Sequence, residues 1–289
     1  MAENKVNIGI VQTFCSDNKV DNTQRTIKLI RDTAEKGARI ICLQELFNTL
    51  YFCIEEDYNQ FDLAEFQDGP TAQELSKLCA QLKIVLVVPY FEKRTAGLYH
   101  NSAIVIDADG KISGNYRKQH IPDDPGYYEK FYFAPGDEGY KVFDTQYGKI
   151  SVLICWDQWY PEASRIAALK GAEIIFYPTA IGWPVGQDER LNSKEYNAWQ
   201  TIIKSHAVAN GVHTVAVNRT GVEYDNQFWG GSFITDPFGE VLFQAPYTDE
   251  TYEAIEVDLS QTEYFRRRWP FLRDRRTDTY KPVTKRFID

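Results

Sequence analysis

Nowhere in the 289 residues does an apolar run approach the roughly 20 residues that a helix needs to cross a bilayer. Cysteine is scarce: there are five, an odd number, with no Cys-x-x-Cys pair. That argues against a disulfide framework and suits a reducing compartment. The four histidines, His100, His120, His206 and His213, lack metal-ligand spacing, so no zinc or other metal site is expected. No G-x-G-x-x-G and no P-loop occurs, and no cofactor is expected. No low-complexity linker or short repeat marks a domain break, so residues 1–289 read as one domain. The start, Met1 to Val6, runs into an apparent strand without the apolar core of a signal peptide, and the expectation is a cytoplasmic chain. Basic residues are outnumbered, 32 Lys and Arg against 41 Asp and Glu, leaving a formal charge of -9. That balance disfavours nucleic acid and membrane as partners and mildly favours a cationic small molecule.

What is present is a globular composition, 43% hydrophobic and 25% charged, patterned as alternating strands and helices. Strands are expected at Val6 to Val11, Arg39 to Gln44 and Ile84 to Tyr90, separated by helices over Thr23 to Lys36 and Thr71 to Leu82. An Asp109-Gly110 turn joins Tyr99 to Ile106 with Lys111 to Arg117. A long loop, Gln119 to Gly139, precedes a second hairpin, Lys141 to Asp144 with Lys149 to Ile154. Further strands follow at Glu173 to Tyr177, His213 to Asn218, Gly230 to Thr235, Glu240 to Gln244 and Glu253 to Val257. Pro178 to Leu191 reads as a loop, and Ser193 as the cap of a helix reaching Asn210. This is an α/β pattern, and two mixed sheets packed inside two helical layers would account for so many apolar strands.

The stretch from Ile150 to Ala163 organises the rest. Val152, Leu153 and Ile154 read as a buried strand, and Pro161 opens a helix that Gly171 ends. Cys155 therefore lies where a strand turns sharply towards a helix, which exposes a side chain beside free backbone N–H groups. The alternative is a core cysteine. Glu45 and Lys118 also stand at the ends of strands, and either alone reads as a surface charge. Together with Cys155 they supply a proton acceptor, a nucleophile and an ammonium to stabilise an oxyanion.

Leu43-Gln-Glu45-Leu-Phe, Tyr116-Arg-Lys118-Gln-His-Ile-Pro122 and Ile154-Cys155-Trp-Asp-Gln-Trp-Tyr-Pro161-Glu resemble the three signature segments of the nitrilase (carbon–nitrogen hydrolase) superfamily. The resemblance runs from Val6 to about Val257. It implies a four-layer α-β-β-α sandwich and a Glu-Lys-Cys triad carried by Glu45, Lys118 and Cys155, with Glu129 at the position of a second glutamate that steadies Lys118. It also implies a homodimer or larger assembly. The tail, 260–289, with Arg266-Arg-Arg268 among aromatics, is expected to be an arm packed on a partner subunit rather than a nucleic-acid patch.

Within the superfamily, the Cys155 segment and Asp123-Asp-Pro-Gly-Tyr-Tyr-Glu-Lys-Phe-Tyr-Phe133 are similar to the branch that hydrolyses N-carbamoylputrescine. Relatives acting on N-carbamoyl amino acids place an arginine near Gln158 and Trp159, where it can clamp the substrate carboxylate, and the neutral pair here argues against such a substrate. A cationic carbamoyl amine is the expected ligand. Its ammonium is expected to meet at least one of Asp123, Asp124, Asp188 and Glu189, with Tyr127, Trp156, Trp159 and Trp183 available for cation–π contact. The backbone N–H of Trp156 is expected to join Lys118 in stabilising the oxyanion. His120, beside Lys118, reads as hydrogen-bonding support, and Asn218-Arg-Thr220 as a chance glycosylation sequon. Two alternatives stand beside this reading: another amidohydrolase of the same fold, acting on N-carbamoyl-β-alanine, a simple amide or a nitrile, and a non-catalytic scaffold.

Overall fold

The computed structural model describes residues 4–288. Side-chain alternation along its central strands sorts the chain into two cores. Strands β1 (Lys5–Gln12), β2 (Ile40–Leu43), β3 (Val85–Thr95), β4 (Leu98–Ile106), β5 (Ile112–Arg117) and β15 (Thr251–Asp258) form one sheet in the order β15-β1-β2-β3-β4-β5. Ile41, Leu43, Leu86 and Ile104 turn outward onto helices α1 (Lys19–Glu35) and α2 (Pro70–Leu82). Their alternates, Ile40, Cys42, Val87 and Ala103, turn inward against the other sheet, as the two-residue period of a strand requires.

The second sheet repeats the plan. Strands β6 (Phe143–Thr145), β7 (Gly148–Val152), β8 (Ile174–Thr179), β10 (His213–Asn218), β13 (Phe233–Thr235) and β14 (Val241–Gln244) lie in the order β14-β13-β10-β8-β7-β6. In each sheet three parallel strands are joined by crossover helices, here α4 (Pro161–Leu169) and α5 (Glu189–Asn210), and antiparallel strands close the edges. The fold is the four-layer α-β-β-α sandwich expected from the sequence. It brings the C-terminal ends of parallel strands from both sheets to one place, where α/β proteins bind ligands.

Several boundaries differ from the sequence reading, each through a cap or a turn. Asn18 Oδ1 accepts from Val20 N at 3.0 Å and Asp21 N at 3.2 Å, so α1 starts four residues before the expected Thr23. Asp188, not Ser193, caps α5 by accepting from Arg190 N at 3.1 Å and Leu191 N at 3.2 Å. Gly230 and Gly231 take left-handed backbone (φ +58° and +60°), which delays β13 to Phe233. A third small sheet, β11-β12-β9, was not foreseen: β9 (Gly182–Pro184), β11 (Thr220–Glu223) and β12 (Asn226–Trp229) are too short to show alternation. Inside the long loop lies the one-turn helix α3 (Glu129–Tyr132).

The tail opens with helix α6 (Ser260–Arg268), which packs on its own chain: Phe265 meets the Phe238 ring at 4.8 Å, and Arg266 Nε donates to Asn210 O at 3.1 Å. Tyr280, Val283 and Phe287 beyond it stay exposed. Among the described residues no helix is long and apolar enough to cross a membrane.

Candidate active site

Glu45 leaves β2 two residues after its end, and the next residue, Leu46, holds a left-handed φ of +48°. A bulky residue adopts that conformation only when its surroundings impose it. They do so through Arg219, a fully buried arginine that sequence reasoning passed over. Its Nη2 donates to Glu45 O and Leu46 O, both at 2.9 Å, and its Nη1 to Glu223 at 2.8 and 2.9 Å. Glu223 also accepts from Tyr51 N at 2.6 Å. The same burial rules out Asn218-Arg-Thr220 as an accessible sequon. Arg219→Met removes a donor from the buried Glu223 carboxylate and from three carbonyls, those of Glu45, Leu46 and Thr49. Chemical denaturation is expected to register a loss of about 3–5 kcal/mol, and a variant as stable as the parent would refute the anchoring role.

Lys118 follows β5, and its backbone N–H bonds Asn101 O on β4 at 2.9 Å. Its ammonium lies 2.8 Å from Glu45 Oε1 and 2.9 and 2.7 Å from the two oxygens of Glu129. Burial alone would discharge this lysine, but the Glu129 and Glu45 carboxylates outweigh it and hold its pKa well above the usual range. Asn101 Nδ2 bridges the same carboxylates, 2.7 Å from Glu45 Oε1 and 3.4 Å from Glu129 Oε2, and Tyr51 donates to Glu129 Oε1 at 2.7 Å. Burial lifts the Glu129 carboxyl above its ordinary range, because Lys118 offsets it only in part and Glu45 adds to the rise. Glu129 is fixed by α3, which packs into a cluster of rings: Phe52 and Tyr132 are 5.0 Å apart, Phe91 and Phe133 5.2 Å. With Oε1 of Glu45 bonded twice, Oε2 is left buried and without a partner. That oxygen is the one free to accept a proton.

Cys155 stands at the elbow expected for it, with a φ of +43° and a five-residue 3-10 turn opening at the same residue. The first N–H groups of such a turn have no partner within it, which leaves the Trp156 N–H as a donor beside the sulfur. The elbow is locked by Asp157, wholly buried. Its Oδ2 accepts from Ile154 N at 3.1 Å and Tyr116 OH at 2.7 Å, and its Oδ1 from His120 N at 3.0 Å. His120 stacks on Tyr160 and meets Asp157 through Nδ1 at 2.7 Å, in the supporting role expected of it. Burial first, then the Glu45 charge, pushes the Cys155 thiol well above its usual range, and Lys118 counters this only in part. The sulfur therefore rests as a thiol. Ionising it unaided would add a second uncompensated negative charge to a site already holding two carboxylates and one ammonium. Attack must move the proton to a neighbouring base.

Cys155 opens onto a cleft of about 370 Å³ whose lining includes Asp124, Tyr127, Trp156, Trp159 and Trp229. Of the residues expected to bind substrate, Asp124, Tyr127, Trp156 and Trp159 are there. The other four are not. Asp123 points to solvent near Lys130, 3.9 Å away. Asp188 is spent on the cap of α5. Glu189 and Trp183 line a separate depression of about 580 Å³, although Trp183 touches the back of Trp229 at 5.0 Å. Gln158 is also misplaced by the sequence reading: its Oε1 accepts from Trp199 Nε1 at 2.9 Å and Thr179 at 3.1 Å inside the core, so only Trp159 of that pair faces the cleft. The acid that sequence reasoning missed is Glu195 on α5, which lines the cleft. The helix expected from Ser193 to Asn210 already holds it, beside the buried face of Tyr196, Trp199 and Ile203, but no local signal tells that this flank of α5 faces the cleft.

Comparison with known proteins identifies the family. The carbon-nitrogen hydrolase family profile matches residues 8–267. The chain is 44% identical to N-carbamoylputrescine amidase of Oryza sativa subsp. japonica, over 97% of its own length and 95% of the relative's. It is 40% identical to citrullinase of Francisella tularensis subsp. tularensis, over 98% and 99%. The crystal structure of a carbon-nitrogen hydrolase from Helicobacter pylori G27 superposes with a TM-score of 0.95 at 44% identity, covering 98% of this chain and all of that one. A sandwich of this topology, a thiol on a strained elbow and near-full-length similarity lead to one conclusion: the chain belongs to the carbon–nitrogen hydrolase family, and it is a hydrolase of carbon–nitrogen bonds.

Proposed function

We propose that the protein hydrolyses N-carbamoylputrescine to putrescine, carbon dioxide and ammonia, a step that supplies a polyamine precursor. The observation that carries this reading is the charge of the cleft: among the described residues its lining includes two carboxylates, Asp124 and Glu195, and no lysine, arginine or histidine, and the buried Lys118 near Cys155 is already paired with Glu45 and Glu129. Citrulline, on which a relative acts, presents the same ureido group but adds a carboxylate at the far end. That carboxylate would enter the cleft without a partner, whereas a lone ammonium would be attracted.

In the proposed mechanism Glu45 Oε2 takes the Cys155 proton as the sulfur attacks the carbamoyl carbon. The two Glu129 oxygens can share one N–H of Lys118, which frees another to meet the oxyanion together with the Trp156 N–H. One such donor is worth about 3–4 kcal/mol in comparable sites. Both are needed, since the nitrogen lone pairs of a urea make its carbonyl a poor electrophile. The proton held on Glu45 passes to the departing nitrogen, and ammonia leaves an S-linked thiocarbamate. Water, deprotonated by the same carboxylate, cleaves the carbon–sulfur bond, returns the thiol and releases an N-alkyl carbamate that loses carbon dioxide. Glu129 holds Lys118 and the substrate amide in register.

The test is ammonia release from a panel of N-carbamoylputrescine, citrulline, N-carbamoyl-β-alanine and a primary amide. N-carbamoylputrescine is expected to lead citrulline by about 100-fold in kcat/KM, since like charges brought together in a desolvated site cost several kcal/mol. Equal turnover of citrulline would overturn the assignment.

A further inference from the structure

Resting on the reading of the substrate as a cationic carbamoyl amine, we propose that Glu195 is the carboxylate that receives its distal ammonium and so sets the length of amine the enzyme accepts. The cleft holds two candidates, and they are not equivalent. Asp124 is exposed, on a loop before Pro125, where water screens its charge. Glu195 is half-buried on α5, and its position on that helix is rigid. Its neighbours on either side of the turn are locked into the core: Tyr196 OH donates to Gly231 O at 3.0 Å, and Trp199 Nε1 to Gln158 Oε1 at 2.9 Å.

The glutamate is also oriented. Gln187 Nε2 donates to Glu195 Oε2 at 2.8 Å and to Asn192 Oδ1 at 2.9 Å, and Gln187 N is tied to Pro184 O at 3.1 Å. One carboxylate oxygen is thus held by a neutral amide while the charge stays uncompensated. Among the described residues no lysine, arginine or histidine forms an ion pair with Glu195. A carboxylate pinned by a neutral donor, in a cleft that Trp159 and Trp229 also line, offers an alkylammonium one charge-assisted hydrogen bond and an aromatic wall for its methylene groups.

The experiment compares N-carbamoylputrescine with N-butylurea, which has the same ureido group and four carbons but no charge. The ratio of their kcat/KM values is the readout. For the parent enzyme the ratio is expected to favour the cation strongly, and Glu195→Gln is expected to reduce it about 10- to 100-fold, mostly through KM, as loss of a charge-assisted hydrogen bond does. Asp124→Asn is expected to change it less than about 3-fold, the scale of a screened surface charge. Glu195→Asp withdraws the carboxylate by one methylene, so the substrate with one more carbon, N-carbamoylcadaverine, gains relative to N-carbamoylputrescine. A merely structural glutamate would not move chain-length preference. If Glu195→Gln keeps the ratio, or Glu195→Asp leaves the length preference unchanged, the assignment to Glu195 falls while the cationic substrate stands. If the parent enzyme itself shows no preference for the cation, the underlying reading falls with it.

Discussion

Cys155→Ala is expected to release no measurable ammonia from any ureido or amide substrate, a loss of at least about 10⁴-fold, yet to melt within a few degrees of the parent. The rate loss follows from removing the only group positioned to bond the carbamoyl carbon; in enzymes that act through such a nucleophile, its deletion costs as much as deleting the whole catalytic set. The stability expectation follows from the backbone. A φ of +43° strains alanine as much as cysteine, so the substitution neither relieves nor adds to the strain at the elbow. Cys155→Gly separates the two effects. It is equally inactive, but glycine occupies the left-handed region freely, so it should be more stable than the alanine variant by about 1 kcal/mol. Iodoacetamide supplies the complementary measurement. Burial raises all five thiols, Cys155 included, but the only one on the cleft, where a reagent can reach it, is Cys155, with Glu45 near to take its proton. Alkylation is therefore expected at Cys155 first, in step with loss of activity. Labelling of another cysteine in an enzyme that then stops working would count against the nucleophile, and residual turnover by Cys155→Ala would end it.

The parts of this site that were legible in the sequence share one property: each stands just past the end of a strand. Glu45 follows β2, Lys118 follows β5 and Cys155 follows β7, and β5, two antiparallel steps from β3, runs the same way as β2, so the ends of β2 and β5 lie on one side of their sheet. The parts that were not legible depend on contacts between distant segments. Asn101 lies inside a strand that reads correctly from Tyr99 to Ile106, and nothing local tells that its amide bridges Glu45 and Glu129. Arg219 and Glu223, four apart at the start of a sheet too short to recognise, look like a surface ion pair until the chain from Glu45 to Tyr51 closes over them. Glu195 falls inside the helix expected from Ser193 to Asn210, but nothing local tells that its flank of that helix faces the cleft. Asp188, read as free to bind an amine, already accepts from two backbone N–H groups at the start of α5.

Lys118→Met is expected to cost both stability and activity, and a second substitution tells the two losses apart. The methionine leaves Glu45 and Glu129, each fully buried, facing each other across the space of the lost ammonium. Breaking a buried ion pair by removing one partner costs about 3–5 kcal/mol, most of it the penalty of the charges left behind. One of the carboxyls then escapes by holding a proton, which raises its folded pKa above the unfolded value. The folded state binds the extra proton, so the deficit shrinks as pH falls from 8 towards 5 and grows again as pH rises through the raised pKa. Adding Glu129→Gln removes the second charge while its carbonyl oxygen can still accept from Tyr51, and should restore about 2 kcal/mol or more of what was lost. Activity should not return with it. If Lys118 stabilises the oxyanion, the double variant stays at least about 10³-fold below the parent, because the charge that develops on the carbamoyl oxygen has lost its ammonium and meets the Trp156 N–H alone. Should Lys118→Met with Glu129→Gln recover turnover along with stability, the ammonium would be no more than a counter-ion for Glu129, and the oxyanion would have to rest on the Trp156 N–H alone.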